Sequence, residues 1–247
     1  SDVCSSDLEI MGKKCERILV VGDSISKGVV YDEAKGRYVF FKDCFVNLVK
    51  ENINCDVKNV SKFGATVDYG KKTLVKYIDE YKPDAVMIEF GGNDCDFEWS
   101  EVAENPFKDH QPRTSYSDYL CVFSEMIDIV RSAGKNPIIC TCPPIDEVKY
   151  FNWFTKGCQE TASRILQWLK STNRIHWQHE RYSEGLRRLA QNSEVPVIDI
   201  RNEIFSGSFW FSDLMCIDGI HPNKDGHKTA ARCVMRFIQK HAPFLLK

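Results

Sequence analysis

The run Ile18-Leu19-Val20-Val21-Gly22-Asp23-Ser24-Ile25 sets the reading of this 247-residue chain. Four apolar residues, three of them β-branched, give way to a glycine and two short polar residues, the pattern of a buried strand that ends in a turn. Similar runs recur at 57–60, 85–90, 138–142 and 195–200. Between them lie stripes at helical spacing: Val67, Leu74, Val75, Ile78 and Tyr81; Tyr119, Leu120, Phe123, Met126, Ile127 and Val130; and Ala230, Val234, Phe237, Ile238 and His241. That alternation predicts an α/β fold with a five-stranded parallel sheet covered on both faces. Segment 143–192 leaves room for two helices, 161–171 and 175–191, between the fourth and fifth strands.

Parallel sheets place their sites at the carboxyl ends of the strands. Ser24 follows the first strand, 61–64 the second and 91–93 the third, so topology alone converges three loops on one edge. Near the C-terminus stands Asp218-Gly219-Ile220-His221. A serine hydroxyl is protonated at neutral pH and needs a base, and an acid three residues before a histidine can orient the ring from a single turn. Pro222 biases His221 away from helical backbone and favours a loop before the last helix. Asp218 beside Gly219 also fits a plain turn aspartate. Phe63-Gly64-Ala65-Thr66 and Phe90-Gly91-Gly92-Asn93-Asp94 add a glycine N–H and a carboxamide, two groups able to bind an oxyanion.

These four ordered segments resemble the SGNH hydrolases, also called the GDSL family, across most of the chain. The first block reads Gly-Asp-Ser-Ile where the family name has Leu, a change at a packing position. The resemblance implies a flavodoxin-like three-layer α/β/α sandwich. It also implies Ser24 as nucleophile, His221 as base, Asp218 as its partner, and Ser24 N–H, Gly64 and Asn93 as the oxyanion hole. The implied activity is a serine esterase on carboxylic esters with short acyl or acetyl groups and no cofactor. Thioesterase or lysophospholipase action at the same site, or a non-catalytic binding domain that retains the fold, are the alternatives. No Gly-x-Ser-x-Gly elbow, phosphate loop or His-Glu-x-x-His set is present, and His221, His227, Asp218 and Asp225 do not form a compact ligand set; no metal is expected.

Charge is nearly balanced, 33 basic against 35 acidic residues, which argues against nucleic acid as a partner and leaves a small ester substrate. The eleven cysteines are scattered without a Cys-x-x-Cys pair, so reduced thiols in a cytoplasmic protein are expected. No 18-residue apolar stretch suggests a membrane span. The first eight residues match a translated sequencing adapter, so 1–10 are expected to be foreign to a single domain at 11–247, with Met11 a candidate start. Asp94, Asp96 and Glu98 are expected in a solvated acidic loop, and Tyr31, Tyr38, Phe97, Trp99, Tyr150, Phe151 and Trp153 in either a substrate pocket or the core.

Overall fold

The computed structural model describes residues 15–207 and 210–247, so the adapter-like segment lies outside the described residues. Five strands pair in parallel in the spatial order β4-β1-β5-β6-β7: β1 Arg17–Gly22, β4 Asp56–Asn59, β5 Ala85–Glu89, β6 Asn136–Cys140 and β7 Val197–Ile198. The chain leaves β1 for β4 on one side and then crosses to β5 on the other. That reversal opens a crevice beyond the carboxyl end of β1.

The helices are α1 Ser24–Lys27, α2 Phe45–Glu51, α3 Val67–Tyr81, α4 Trp99–Glu104, α5 Tyr116–Ser132, α6 Glu147–Thr155, α7 Gln159–Leu169, α8 Asn173–Asn192, α9 Ile200–Gly207 and α10 Lys224–His241. Alternate residues of each strand serve opposite layers. Ile18, Val20 and Met87 pack with Phe45, Val46, Val234 and Ile238 under α2 and α10, whereas Leu19, Val21, Val86 and Ile88 pack with Leu74, Phe123 and Met126 under α3 and α5. A strand buried on both faces must be apolar throughout, which is why β1 reads as a run and does not alternate. A third cluster of Trp99, Val102, Ile145, Tyr150, Phe151, Ile165 and Leu169 joins α4, α6 and α7 beside the crevice. None of the described helices is long and apolar enough to cross a membrane. The ten described cysteines are all free thiols.

Three sequence expectations shift. The run at 195–200 pairs only at Val197 and Ile198, because Pro196 has no N–H to give a ladder and Asp199 turns the chain into α9 by accepting the Asn202 N–H at 3.0 Å. Segment 143–192 holds three helices; α6 is the extra one, started by Asp146, whose carboxylate accepts the Lys149 N–H at 2.9 Å. A hairpin, β2 Val29–Asp32 against β3 Arg37–Phe40, was not expected, since each strand is only four residues long. Within the stripes, Val75 faces solvent while its neighbours Leu74 and Ile78 are buried.

His227, in the first turns of α10, is fully buried and stacked on Phe45, and its Nε2 has no partner. Burial, helped by His221, holds its imidazole down at about 4. The unfolded chain therefore binds a proton that the folded chain refuses, so stability falls as pH drops from about 6.5 toward 4. Over that window this ring removes up to about 1.4 kcal/mol of stability per pH unit, a contribution opposite in sign to that of the buried carboxyls with raised values. A His227→Gln protein should lack it, so the native melting temperature should fall relative to that of the variant between about pH 6.5 and 4 in paired thermal melts.

Candidate active site

Ser24 emerges where β1 ends, at the first residue of α1, and Asp23 caps that helix by accepting the Ile25 N–H at 2.8 Å. His221 and Asp218 arrive on the loop before α10, which is capped by Asn223. Ser24 Oγ lies 2.9 Å from His221 Nε2, and His221 Nδ1 lies 2.6 Å from Asp218 Oδ2. The other Asp218 oxygen accepts the N–H groups of Ile220 and His221, each at 3.1 Å. The aspartate is thus a turn residue and an imidazole partner at once. Burial would raise its carboxyl, but His221 and the two backbone donors hold it below the usual carboxylate range. An ionised carboxylate only accepts, so the imidazole proton sits on Nδ1 and the Nε2 lone pair faces the serine hydroxyl. This group can remove a proton from Ser24.

The loop depends on Gly219, which sits at φ +74 with the ideal Cβ position 2.5 Å from the Asp146 carbonyl. The Gly219 carbonyl in turn accepts the Asp146 N–H at 2.9 Å, so α6 is docked onto the loop that carries Asp218 and His221. Gly64 has φ +73 and open space where a Cβ would be. Among the described residues neither the Ser24 N–H nor the Gly64 N–H has an acceptor.

Asn93 is more constrained than its sequence suggests. Its Nδ2 donates to the Ala65 carbonyl at 3.0 Å and to Asp23 Oδ2 at 3.2 Å. Asp23 is buried, and that burial together with the Glu89 carboxyl raises it well above the ordinary aspartate range. Glu89, equally buried, accepts from Ser26 Oγ at 2.8 Å and from the Cys142 thiol at 3.3 Å. Asp23, Glu89 and Cys142 bring ligand-type atoms within 4.8 Å of one another. Their bonds to Ser26 and Ile25 already use these oxygens for holding α1 in place.

Two spaces meet at Ser24. A small pocket of about 70 Å³ is walled by Cys142, Pro143, Ile145, Ile175 and His179 among others. An open groove of about 790 Å³ runs past Tyr38, Phe63, Gly64 and Trp153. Tyr38 and Phe63 both lie against His221, with ring centroids at 5.2 and 6.0 Å. The hairpin that sequence reasoning missed therefore supplies one wall of the groove.

The expected solvated acidic loop is corrected by the structure. Asp94 is fully buried, accepts from Val67 N–H and Thr114 Oγ1, and is pushed by burial up to about 6. Asp96 accepts from Tyr150 Oη and Trp99 Nε1, both at 2.9 Å. Only Glu98 of the three is exposed. A run of acids reads as solvated until its distant donors are known, and Thr114 and Tyr150 lie too far along the chain for a local pattern to reveal them.

The description of the GDSL-like lipase/acylhydrolase family matches residues 20–229, from within β1 into α10. The chain belongs to that family. As a member it is a carboxylic ester hydrolase. A curated arylesterase from Vibrio mimicus is 23% identical over 237 residues, covering 95% of this chain and 94% of that protein. A lipase/acylhydrolase structure from Enterococcus faecalis superposes with a TM-score of 0.63 at 20% identity, covering 91% and 95% of the two chains. An acetylxylan esterase from Geobacillus stearothermophilus, solved as a catalytic mutant, gives 0.62 at 18% identity, covering 94% and 97%. The five-stranded parallel sheet is thus the family's sheet.

Because a Cβ at Gly219 would collide with backbone, Gly219→Ala should displace Asp218 and His221 together. A shift of this kind costs on the order of 100-fold in turnover. Ester hydrolysis assays should show that loss in protein whose far-ultraviolet circular dichroism matches the native chain.

Proposed function

We propose that this hydrolase is a serine esterase that cleaves esters of short acyl groups through a covalent acyl intermediate on Ser24. The observation that carries the reading is the buried relay from Ser24 Oγ to His221 Nε2 at 2.9 Å and from Nδ1 to Asp218 at 2.6 Å. In the first half-reaction Ser24 Oγ attacks the ester carbonyl as its proton passes to Nε2, and the resulting imidazolium is stabilised by the adjacent carboxylate. The oxyanion is received by the unengaged N–H groups of Ser24 and Gly64. Asn93 Nδ2 joins them by giving up its longer bond, to Asp23, whose elevated carboxyl is a weak competitor when protonated. Collapse expels the alcohol with the proton from Nε2, and water then repeats the sequence to free the acid and Ser24.

The two spaces divide the substrate. At about 70 Å³ the small pocket suits a group of a few heavy atoms, an acetyl or similar acyl. The alcohol must leave while the acyl group stays attached, which favours the open groove for it. Its aromatic wall of Tyr38, Phe63 and Trp153 suits a flat or ring-shaped alcohol. The arylesterase and acetylxylan esterase named above support such a pairing of small acyl group and ring-bearing alcohol. We read residues 11–247 as one catalytic domain.

Ser24→Ala and His221→Ala should each lower kcat by several orders of magnitude on p-nitrophenyl acetate, with the melting temperature near native in Ser24→Ala and lowered in His221→Ala, which takes one of three donors from the buried Asp218 carboxylate. Across p-nitrophenyl esters of rising chain length, kcat/KM should fall at least about ten-fold between the two- to four-carbon acyl groups and the octanoyl ester. A flat profile or a preference for long chains would support a lysophospholipase or long-chain thioesterase instead. Asn93→Ala should lower kcat far more than it raises KM, since the amide contact strengthens only as the oxyanion forms. A lowered melting temperature with unchanged kcat would restrict Asn93 to holding the loop through Ala65 and Asp23.

A further inference from the structure

His179 on α8 lies in the wall of the small pocket, beside Pro143 and Ile145, and only 7% of it is exposed. Its Nδ1 faces Arg201 Nη1 at 3.0 Å. A guanidinium has no lone pair to offer, so Nδ1 accepts and the ring proton is placed on Nε2. Arg201 is itself fixed: its Nε donates to Glu180 at 2.8 Å, its Nη2 reaches the same carboxylate, and its Nη1 reaches the Pro143 carbonyl at 3.3 Å. Burial foremost, then the charges of Arg201 and His176, holds the imidazole well below its ordinary range, so the ring is neutral. Among the described residues the Nε2–H has no protein acceptor, and unlike the His227 Nε2 it is not sealed away from open space; the ring borders both the small pocket and a narrower cavity beside Tyr182 and Ser183.

No step of ester hydrolysis uses this donor, yet a buried arginine and a salt bridge set its tautomer and orientation. We propose that His179 is a specificity determinant: its Nε2–H binds an oxygen on the group in the small pocket, so the enzyme selects oxygen-bearing short acyl groups, such as alkoxyacyl or oxoacyl, over alkyl groups of equal length. The inference rests on the reading that the acyl group occupies that pocket. An alkyl chain there leaves a desolvated donor unpaired, and sites built around a hydrogen bond discriminate strongly against analogues that lack it. His179 acts here by binding substrate and takes no part in proton transfer at Ser24.

The test compares isosteres that exchange one methylene for oxygen: p-nitrophenyl methoxyacetate against butyrate, and 3-methoxypropionate against valerate. Each kcat/KM ratio is divided by the ratio for hydroxide-catalysed hydrolysis of the same esters, which removes their intrinsic reactivity. The native enzyme should favour the oxygen-bearing ester of at least one pair by about 3- to 10-fold after that correction. His179→Leu should abolish the preference, and His179→Asn, which keeps an acceptor for Arg201 and a donor for the pocket, should retain much of it. Melting temperatures show whether each variant folds, and should His179→Leu not fold, the corrected native ratio decides alone. Corrected native ratios near one, or a preference unchanged in folded His179→Leu, would overturn the proposal while leaving the esterase reading in place. A native protein that hydrolyses none of these esters would remove that reading and this inference with it.

Discussion

A carboxylate withdrawn from water governs the site. Asp218 is completely buried, and an ionised group so placed is tolerated only if its oxygens are bonded. Three donors meet that demand: the N–H groups of Ile220 and His221 and the His221 ring. Satisfying the charge thus folds the loop, and folding the loop aims Nε2 at Ser24. Gly219 permits the turn because it alone can sit at φ +74 against the Asp146 carbonyl. Electrostatics, loop conformation and the proposed chemistry are consequences of one constraint.

The sheet provides what that loop needs to meet. Ser24 stands at the end of β1, the strand flanked by β4 and β5, so the loops after all three strands border the same crevice. Behind Ser24 a second buried polar set, Asp23 and Glu89, fastens α1 through Ile25 and Ser26 and holds Asn93 beside the cavity. The α4, α6 and α7 cluster then narrows one side of the crevice into the small pocket, while the hairpin and Phe63 leave the other side open. In the proposed function, size selection comes from this asymmetry and chemistry from the strand ends.

Long apolar runs and the four ordered blocks were legible in the sequence because each is a local pattern set by burial or by a turn. The central strands were readable for that reason; of the residues in the four blocks, Ser24, Asn93 and His221 border both the small pocket and the groove, Gly64 borders the groove, and Asp218 lies behind His221. The hairpin was not legible, since its strands are short and its role is to carry Tyr38 toward His221. Asp94 and Asp96 read as solvated because their donors, Thr114 and Tyr150, are distant in sequence. His179 carries no local signal, because its partner is Arg201 on another helix. Local chemistry is written in short patterns, whereas pairing between helices appears only after packing.

The central claim is that Ser24 alone is made nucleophilic by the buried relay. Its most direct test is intact-mass and peptide-level mass spectrometry after exposure to an organophosphonate ester that phosphonylates activated serines. The account predicts a single adduct on the peptide containing Ser24, formed rapidly in the native protein and absent in His221→Ala protein that remains folded. No adduct at Ser24, or labelling at another serine with equal speed, would contradict it.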